Sequence, residues 1–155
     1  MIRAQCLLAT LVGWLAFGQF LAADPYRVGD TFVVPAGADQ HGKALEAKPG
    51  EYRAVIVDTP GESGSAEPPK DPQWFEKNHA LLVVNISGLS AFKRRIARGR
   101  MESKPFRLLV VEDADAAARF PRQKDKFTVL RLDDRGSVTE IVYAAPGREL
   151  QDLFA

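Results

Sequence analysis

The stretch ALLVVNI, residues 80–86, decides the fold class. It is a short, almost unbroken apolar run, which is typical of a strand buried on both faces of a parallel sheet. Residues 53–58 (RAVIVD) and 106–111 (FRLLVV) repeat this pattern on either side of it. Segments of helical character separate the three runs. The sequence therefore predicts an α/β architecture in which these runs are buried strands of one sheet.

The segments between the strands carry helix signals. Leu89, Phe92 and Ile96 recur at spacings of three and four, which places them on one face of a helix that begins near Ser90. Pro121 ends an alanine-rich segment that is also compatible with a helix. In addition to the helix at Ser90, the expected helices are residues 72–78, residues 113–120, and the chain end with Leu150, Leu153 and Phe154.

Two turns indicate hairpins. Asp-Asp-Arg-Gly at residues 133–136 is a strong turn signal between two strand-like runs. Residues 39–43 (DQHGK) place Gly42 where a hairpin commonly needs a positive φ. The expected strand pairs are residues 127–132 with 138–143 and, at the N-terminal hairpin, residues 31–34 with 44–47.

Residues 1–23 look like a secretory signal peptide. Arg3 gives a positive start, and residues 7–17 form an apolar run shorter than the roughly 18 to 20 residues that cross a bilayer. Small residues ending at Ala23 offer a cleavage site. We expect export to the periplasm and a mature chain, residues 24–155, that forms a single domain without a transmembrane segment. An uncleaved anchor or a buried helix is the alternative interpretation.

The predicted mature chain is electrically balanced. The whole sequence has 21 Lys and Arg and 20 Asp and Glu, and residues 1–23 hold one basic residue, Arg3, and no acidic one. Basic and acidic residues are therefore equal in number after cleavage. General affinity for nucleic acid depends on a cationic surface that releases counterions, so we expect no nucleic-acid partner.

Three motifs follow one another in the chain: VGD at residues 28–30 with Phe32, DQHGK at residues 39–43, and TVLRLD at residues 128–133 with Gly136. Together they resemble the redoxin branch of the thioredoxin-like superfamily, the alkyl hydroperoxide reductase and thiol-specific antioxidant type. The resemblance covers most of the chain between the first and last motif. It implies a three-layer α/β/α fold with a central mixed sheet of about five strands and an N-terminal hairpin.

The chain departs from this family at the redox site. The family's redox cysteines lie just after the first central strand, at the head of the next helix, where the helix N-terminus lowers the thiol pKa. The corresponding residues 59–72 contain no cysteine, and Thr59, Ser63 and Ser65 are the degenerate positions. A serine hydroxyl has no accessible anion near neutral pH. The family's cis-proline is also replaced, by KDK at residues 124–126. We therefore expect neither thiol oxidoreductase nor peroxidase activity.

No other residue pattern specifies an active site. Asp39 and His41 could touch a metal across their turn, but a polar turn pair is the better interpretation, and His79 is the only other histidine. Residues 61–64 (GESG) lack the spacing of a nucleophile elbow and of a phosphate loop. We predict no catalytic residue, no metal site and no cofactor.

One charged region exceeds this background. Residues 93–107 hold seven cationic side chains against the single acidic Glu102, and residues 119–126 hold four against Asp125. If the two stretches are neighbours, they form a cationic face for an acidic envelope protein, a lipid headgroup or an anionic polysaccharide. The alternative is a solvated helix whose long side chains cover its apolar stripe. The candidate binding residues are Arg94, Arg95, Arg98, Lys124 and Lys126.

The sequence thus favours an exported, redox-inactive thioredoxin-like module that binds or assembles other components of the cell envelope. An enzyme with a non-thiol site is one alternative, built from residues 59–72 with Asp58, Asp39 and His41. Such a site requires these groups to share one deep pocket. A thiol-independent periplasmic chaperone is a second alternative, and it requires an exposed apolar groove.

Overall fold

The computed structural model describes residues 24–35, 37–61 and 68–155. The predicted signal peptide, residues 1–23, and the positions Ser63 and Ser65 lie outside the described residues. None of the helices within the described ranges is long and apolar enough to cross a membrane.

The described residues form a six-stranded mixed sheet in the order β1-β4-β3-β2-β5-β6. β2, β3 and β4 are parallel to one another, whereas β1, β5 and β6 run antiparallel to their neighbours. The three apolar runs are therefore the central strands, as predicted. The strands are β1 (Ala38–Asp39), β2 (Ala54–Asp58), β3 (Ala80–Asn85), β4 (Leu108–Val111), β5 (Phe127–Leu132) and β6 (Val138–Ala144).

Helices connect and cover these strands, and polar side chains cap three of them. The carboxylate of Asp71 accepts a hydrogen bond from the Gln73 backbone N–H, and Asp113 does the same for Ala116. The Ser90 hydroxyl accepts from the Lys93 backbone N–H, so this helix begins where the sequence predicts. The helices are α1 (Pro72–Lys77), α2 (Ala91–Glu102), α3 (Ala114–Ala118) and α4 (Arg148–Asp152).

Alternate residues of the central strands point into two separate cores, because successive side chains of a strand face opposite sides of the sheet. On one face, Ile56 and Leu82 lie in a cluster with side chains of α1, α2 and α4, including Met101 of α2. On the other face, Val55 and Leu81 lie in a cluster with α3 and the N-terminal segment. The fold therefore has the predicted three α/β/α layers.

The N-terminal hairpin is shorter than the sequence suggests. Its turn lies at residues 39–43, where Gly42 has a φ of +77° and Ala38 bridges Ala44. Residues 31–34 do not pair with residues 44–47 as expected. Instead the Phe32 N–H donates to the Gly136 carbonyl of the β5–β6 turn at 2.9 Å, and its ring packs with Tyr26. The hydrogen bond to the Gly136 carbonyl and the ring contact with Tyr26 account for this different pairing.

The apolar side chains of α2 are not all buried. Phe92 is 74% exposed and Ile96 is 43% exposed, whereas Met101 is 5% exposed and Ala97 packs against the core. The prediction that Leu89, Phe92 and Ile96 form the covered stripe is therefore wrong for Phe92 and only partly right for Ile96. The sheet beneath α2 is contacted by a neighbouring side of the helix, one that carries smaller and more flexible residues.

Candidate functional site

The position of the family's redox site is the carboxyl end of β2. Asp58 ends the strand, Thr59 and Pro60 follow it half-buried, and α1 begins only at Pro72. The sequence has one cysteine, Cys6, in the N-terminal segment. The connection from β2 to α1 therefore supplies no thiol at the place where this fold usually carries one. Among the described residues, no group of three or more His, Cys, Asp or Glu could hold a metal ion.

The polar groups of the alternative enzyme site do not come together. Asp39 lies in β1 at the sheet edge, and β4 and β3 separate it from Asp58 in β2. Three strand spacings of about 4.8 Å place the two backbones about 14 Å apart. The Asp39 carboxylate also has other partners. It accepts from the Lys43 N–H at 2.9 Å, from the His41 N–H at 3.0 Å and from Arg107 Nε at 2.9 Å.

These contacts give the Asp39 carboxylate a structural role in the turn. The backbone N–H of Lys43, followed by Arg107, holds the pKa of the buried Asp39 carboxyl below its ordinary value. Its neighbour Gln40 is also buried and bridges to β4, donating to the Phe106 carbonyl at 2.7 Å and accepting from the Leu108 N–H at 3.1 Å. The turn therefore holds β1 against β4 at the edge of the sheet.

Arg94, a predicted binding residue, faces the body of the protein. Its Nε donates to the Leu89 carbonyl at 2.9 Å and its Nη2 to the Ser87 carbonyl at 2.6 Å. Both carbonyls belong to the loop that connects β3 to α2. The guanidinium therefore holds this loop against the first turns of the helix, and two of its nitrogens donate within the protein itself.

Arg98 is also engaged within the fold. Its Nη2 lies 2.8 Å from the Glu112 carboxylate, and its Nε donates to the same oxygen at 2.9 Å. The hydrogen bond raises the pKa of Arg98 and lowers that of Glu112. This pair joins α2 to the segment after β4. Arg95 is exposed and has no ion pair among the described residues, so it is the available cation on this side of the helix.

The second basic stretch is divided in the same way. Lys126 Nζ lies 3.3 Å from the Glu149 carboxylate, which also accepts from the Ala145 N–H at 2.7 Å. Lys124 is exposed and lines a hollow with Phe120 and Arg122. That hollow is different from the one lined by Arg94, Arg95 and Arg98. The predicted binding residues therefore do not line one shared hollow.

Another set of cations lines a larger groove beside α2. Lys93, Arg100 and Lys104 border a cavity of about 730 Å³ together with Ile96 and other apolar side chains. Among the described residues none of the three cations has an ion pair. We call this side of the helix the groove flank, and the side with Arg94, Arg95 and Arg98 the paired flank.

These three cations belong to the basic stretch of residues 93–107 but are not among the predicted binding residues. The spacing of Lys93 and Arg100 was the available signal, because positions i and i+7 of a helix lie almost directly above one another. Lys104 lies beyond the end of α2 at Glu102 and lines the same groove. The floor of the groove is formed by Leu82 and Val84 of β3 and Leu108 of β4. Pro60, Gly61 and Pro68 of the connection from β2 to α1, together with Asp58, lie on the opposite wall.

Comparison with known proteins identifies the fold. No protein-family model matches the chain, and no curated protein matches it by sequence. A thio-disulfide isomerase from Thermus thermophilus is similar with a TM-score of 0.51 at 19% identity, covering 83% of this chain and 95% of that one. AhpC from Mycobacterium tuberculosis gives a TM-score of 0.49 at 14% identity, covering 83% of this chain and 94% of that one.

A peroxiredoxin-like protein from Aquifex aeolicus gives a TM-score of 0.47 at 12% identity, with 84% of this chain and 86% of that chain covered. The similarity to the Thermus thermophilus protein and the mixed sheet with helices on both faces show a thioredoxin-like α/β fold, as the motifs predict. Similarity at this level of identity establishes the fold and not the chemistry.

Proposed function

We propose that this protein is an exported thioredoxin-like module that binds an anionic partner without thiol chemistry. The observation that carries the proposal is the surface of α2. Lys93, Arg95 and Arg100 of α2 and Lys104 just beyond it have no ion pair among the described residues, and α2 also exposes the side chains of Phe92 and Ile96. Arginine and aromatic side chains are enriched at protein interfaces, and clustered cations attract anions.

The charge balance of the chain adds to this argument. Basic and acidic residues are equal in number outside residues 1–23, so a local excess of cations on α2 is not a by-product of a basic protein. Arg94 and Arg98 are hydrogen-bonded or paired within the fold, whereas Lys93, Arg95, Arg100 and Lys104 have no ion pair among the described residues. The surface around α2 therefore offers unpaired cations to an acidic partner.

Under this proposal the protein has no thiol activity. The purified mature chain, residues 24–155, should not reduce insulin disulfides, and it should not consume hydroperoxide with a thiol donor, because it contains no sulfur nucleophile of the cysteine type. Turnover above a matched blank in either assay contradicts the proposal. Export is tested separately, by mass spectrometry of the protein recovered from the soluble envelope fraction, in which the N-terminus is expected at or next to Asp24.

Binding is tested with three defined anions, one for each class of partner: fluorescent polyglutamate, phosphatidylglycerol vesicles and heparin. At least one of them should bind the full chain, and its affinity should fall with added salt, because screening limits exposed charges to about 8 Å at 0.15 M salt. Replacement of Lys93, Arg95, Arg100 and Lys104 by Gln should abolish this binding.

The matched control removes the same number of exposed cations elsewhere, with Gln at Arg27, Lys48, Lys77 and Arg135. This control should bind as the wild type does. If none of the three anions binds, or if both variants lose binding equally, the proposal is wrong.

A further inference from the structure

The arrangement of cations on the groove flank of α2 favours an anion of a particular shape. We infer that the groove binds an extended acidic segment of a partner protein, with two carboxylates three residues apart, an apolar side chain between them and a further carboxylate beyond the second. This inference rests on the proposed function and names its partner class. It uses Lys93, Arg100 and Lys104 as the anion-binding residues and Ile96 as the apolar contact.

The positions of the cations along the helix give the spacing of the anions. A helix rises 1.5 Å per residue, so Lys93 and Arg100 of α2 lie about 10 Å apart along its axis. Lys104 follows the helix, which ends at Glu102, and its backbone N–H donates to the Met101 carbonyl at 3.0 Å. Ile96 and Ala97 lie between the first two. The groove therefore has cations at both ends and apolar surface in the middle.

An extended peptide fits this pattern. Its residues advance about 3.3 Å each, so three residues span the interval between Lys93 and Arg100, and a further carboxylate beyond that interval can pair with Lys104. An acyl-chain anion fits less well, because it carries its charge at one end only and leaves cations at the other end of the groove without a partner. A single headgroup or a free phosphate likewise leaves cations at the other end of the groove without a partner. The distribution of charge thus favours a peptide over a lipid.

The groove also has the electrostatics and size for such a segment. Among its described lining residues, the three cations stand against one carboxylate, that of Asp58. Lys93 and Arg100 are exposed, and Lys104 is half-buried against the groove. A volume of about 730 Å³ lies within the range of small-ligand pockets and accommodates an apolar side chain of the segment.

The test uses four synthetic octapeptides and the full-length protein. SESLESES has glutamates three and two residues apart with a leucine between them. SSLSSEEE has the same composition with the glutamates at one end, SQSLQSQS is neutral, and SESSESES lacks the leucine. Binding is measured by fluorescence anisotropy at low salt, with decanoate and inorganic phosphate as competitors that represent the lipid and simple-anion alternatives.

SESLESES should bind at least about tenfold more tightly than SSLSSEEE or the neutral peptide, since each 1.4 kcal/mol of lost contact costs a factor of ten. The triple variant Lys93→Gln, Arg100→Gln, Lys104→Gln should lose this preference. The control triple variant Arg27→Gln, Lys48→Gln, Arg135→Gln should keep it. Ile96→Gln should remove the difference between SESLESES and SESSESES. Urea denaturation of each variant verifies that it is folded.

Three results overturn the inference. The first is equal affinity for spaced and clustered glutamates, the second is displacement of SESLESES by decanoate at similar concentrations, and the third is binding that survives the triple variant. If polyglutamate still depends on the cations of α2 in any of these cases, the proposed function stands and only the extended-segment assignment fails. If no acidic probe binds, both fail.

Discussion

The two flanks of α2 carry the same kinds of residue and do different things. On the paired flank, Arg94 holds two loop carbonyls and Arg98 holds Glu112. On the groove flank, Lys93 and Arg100 face a cavity and have no acidic partner among the described residues. A cationic stretch in a sequence thus contains both cations that are bonded within the protein and cations that are available to a partner. Only the second kind contributes to recruiting an anion.

The largest expected effect separates the buried side of α2 from its outward side. Met101→Ala should destabilise the protein by about 2 to 5 kcal/mol, because it deletes a buried side chain and leaves a cavity. Phe92→Ala should change the free energy of unfolding by no more than about 0.5 kcal/mol, because Phe92 is largely exposed. Urea denaturation measures both. A large loss for Phe92→Ala would mean that this ring is covered within the protein and is not part of a binding surface.

The next effect separates the paired flank from the available cations. Arg94→Gln should cost about 1 to 3 kcal/mol of stability, because the Ser87 and Leu89 carbonyls lose hydrogen bonds from a charged donor. The matched control is Arg95→Gln, which removes the neighbouring exposed charge and should cost no more than about 0.5 kcal/mol. If thermal or urea denaturation shows that both variants lose the same stability, Arg94 is no more bound within the protein than Arg95 is.

The smallest effect concerns the exposed pair of Arg98 and Glu112. Glu112→Gln should cost less than about 1 kcal/mol at neutral pH, because both partners are well exposed to solvent. The hydrogen bond from Arg98 lowers the pKa of Glu112 in the folded state. The stability that this pair adds is therefore complete above the ordinary glutamate pKa of about 4.3 and is lost as the pH falls through the lower folded value.

Denaturation curves of the wild type and Glu112→Gln should accordingly converge as the pH falls below about 4.3. Arg98→Gln serves as the partner variant, and the double variant should be no less stable than either single one. A difference that grows on acidification would contradict the assignment of Glu112 as an anion held by Arg98.

Much of the fold follows from local signals in the sequence. The run at residues 80–86 and the turn at residues 133–136 specify a buried strand and a hairpin through their own composition, and Ser90 caps α2 where a capping residue is expected. The lack of a cysteine between β2 and α1 can also be read from the sequence alone.

The surface of α2 does not follow from local signals. The spacing of Leu89, Phe92 and Ile96 indicates a helix, but Ala97 and Met101 take the buried side because of the strands beneath them. Likewise the partner of Arg98 is Glu112, fourteen residues further on and beyond β4. Which cations are paired is decided by tertiary contacts, so the sequence could identify the basic region and not divide it.

The most direct test of this division is lysine footprinting in the presence of the acidic peptide SESLESES. The full chain is acetylated with a succinimidyl ester with and without saturating peptide, and the labelling of each lysine is quantified by mass spectrometry. The account predicts that the peptide protects Lys93 and Lys104 and leaves Lys48 and Lys77 unchanged. Equal labelling of all four lysines with and without the peptide, or protection spread evenly over them, would contradict the claim that the groove flank holds the partner.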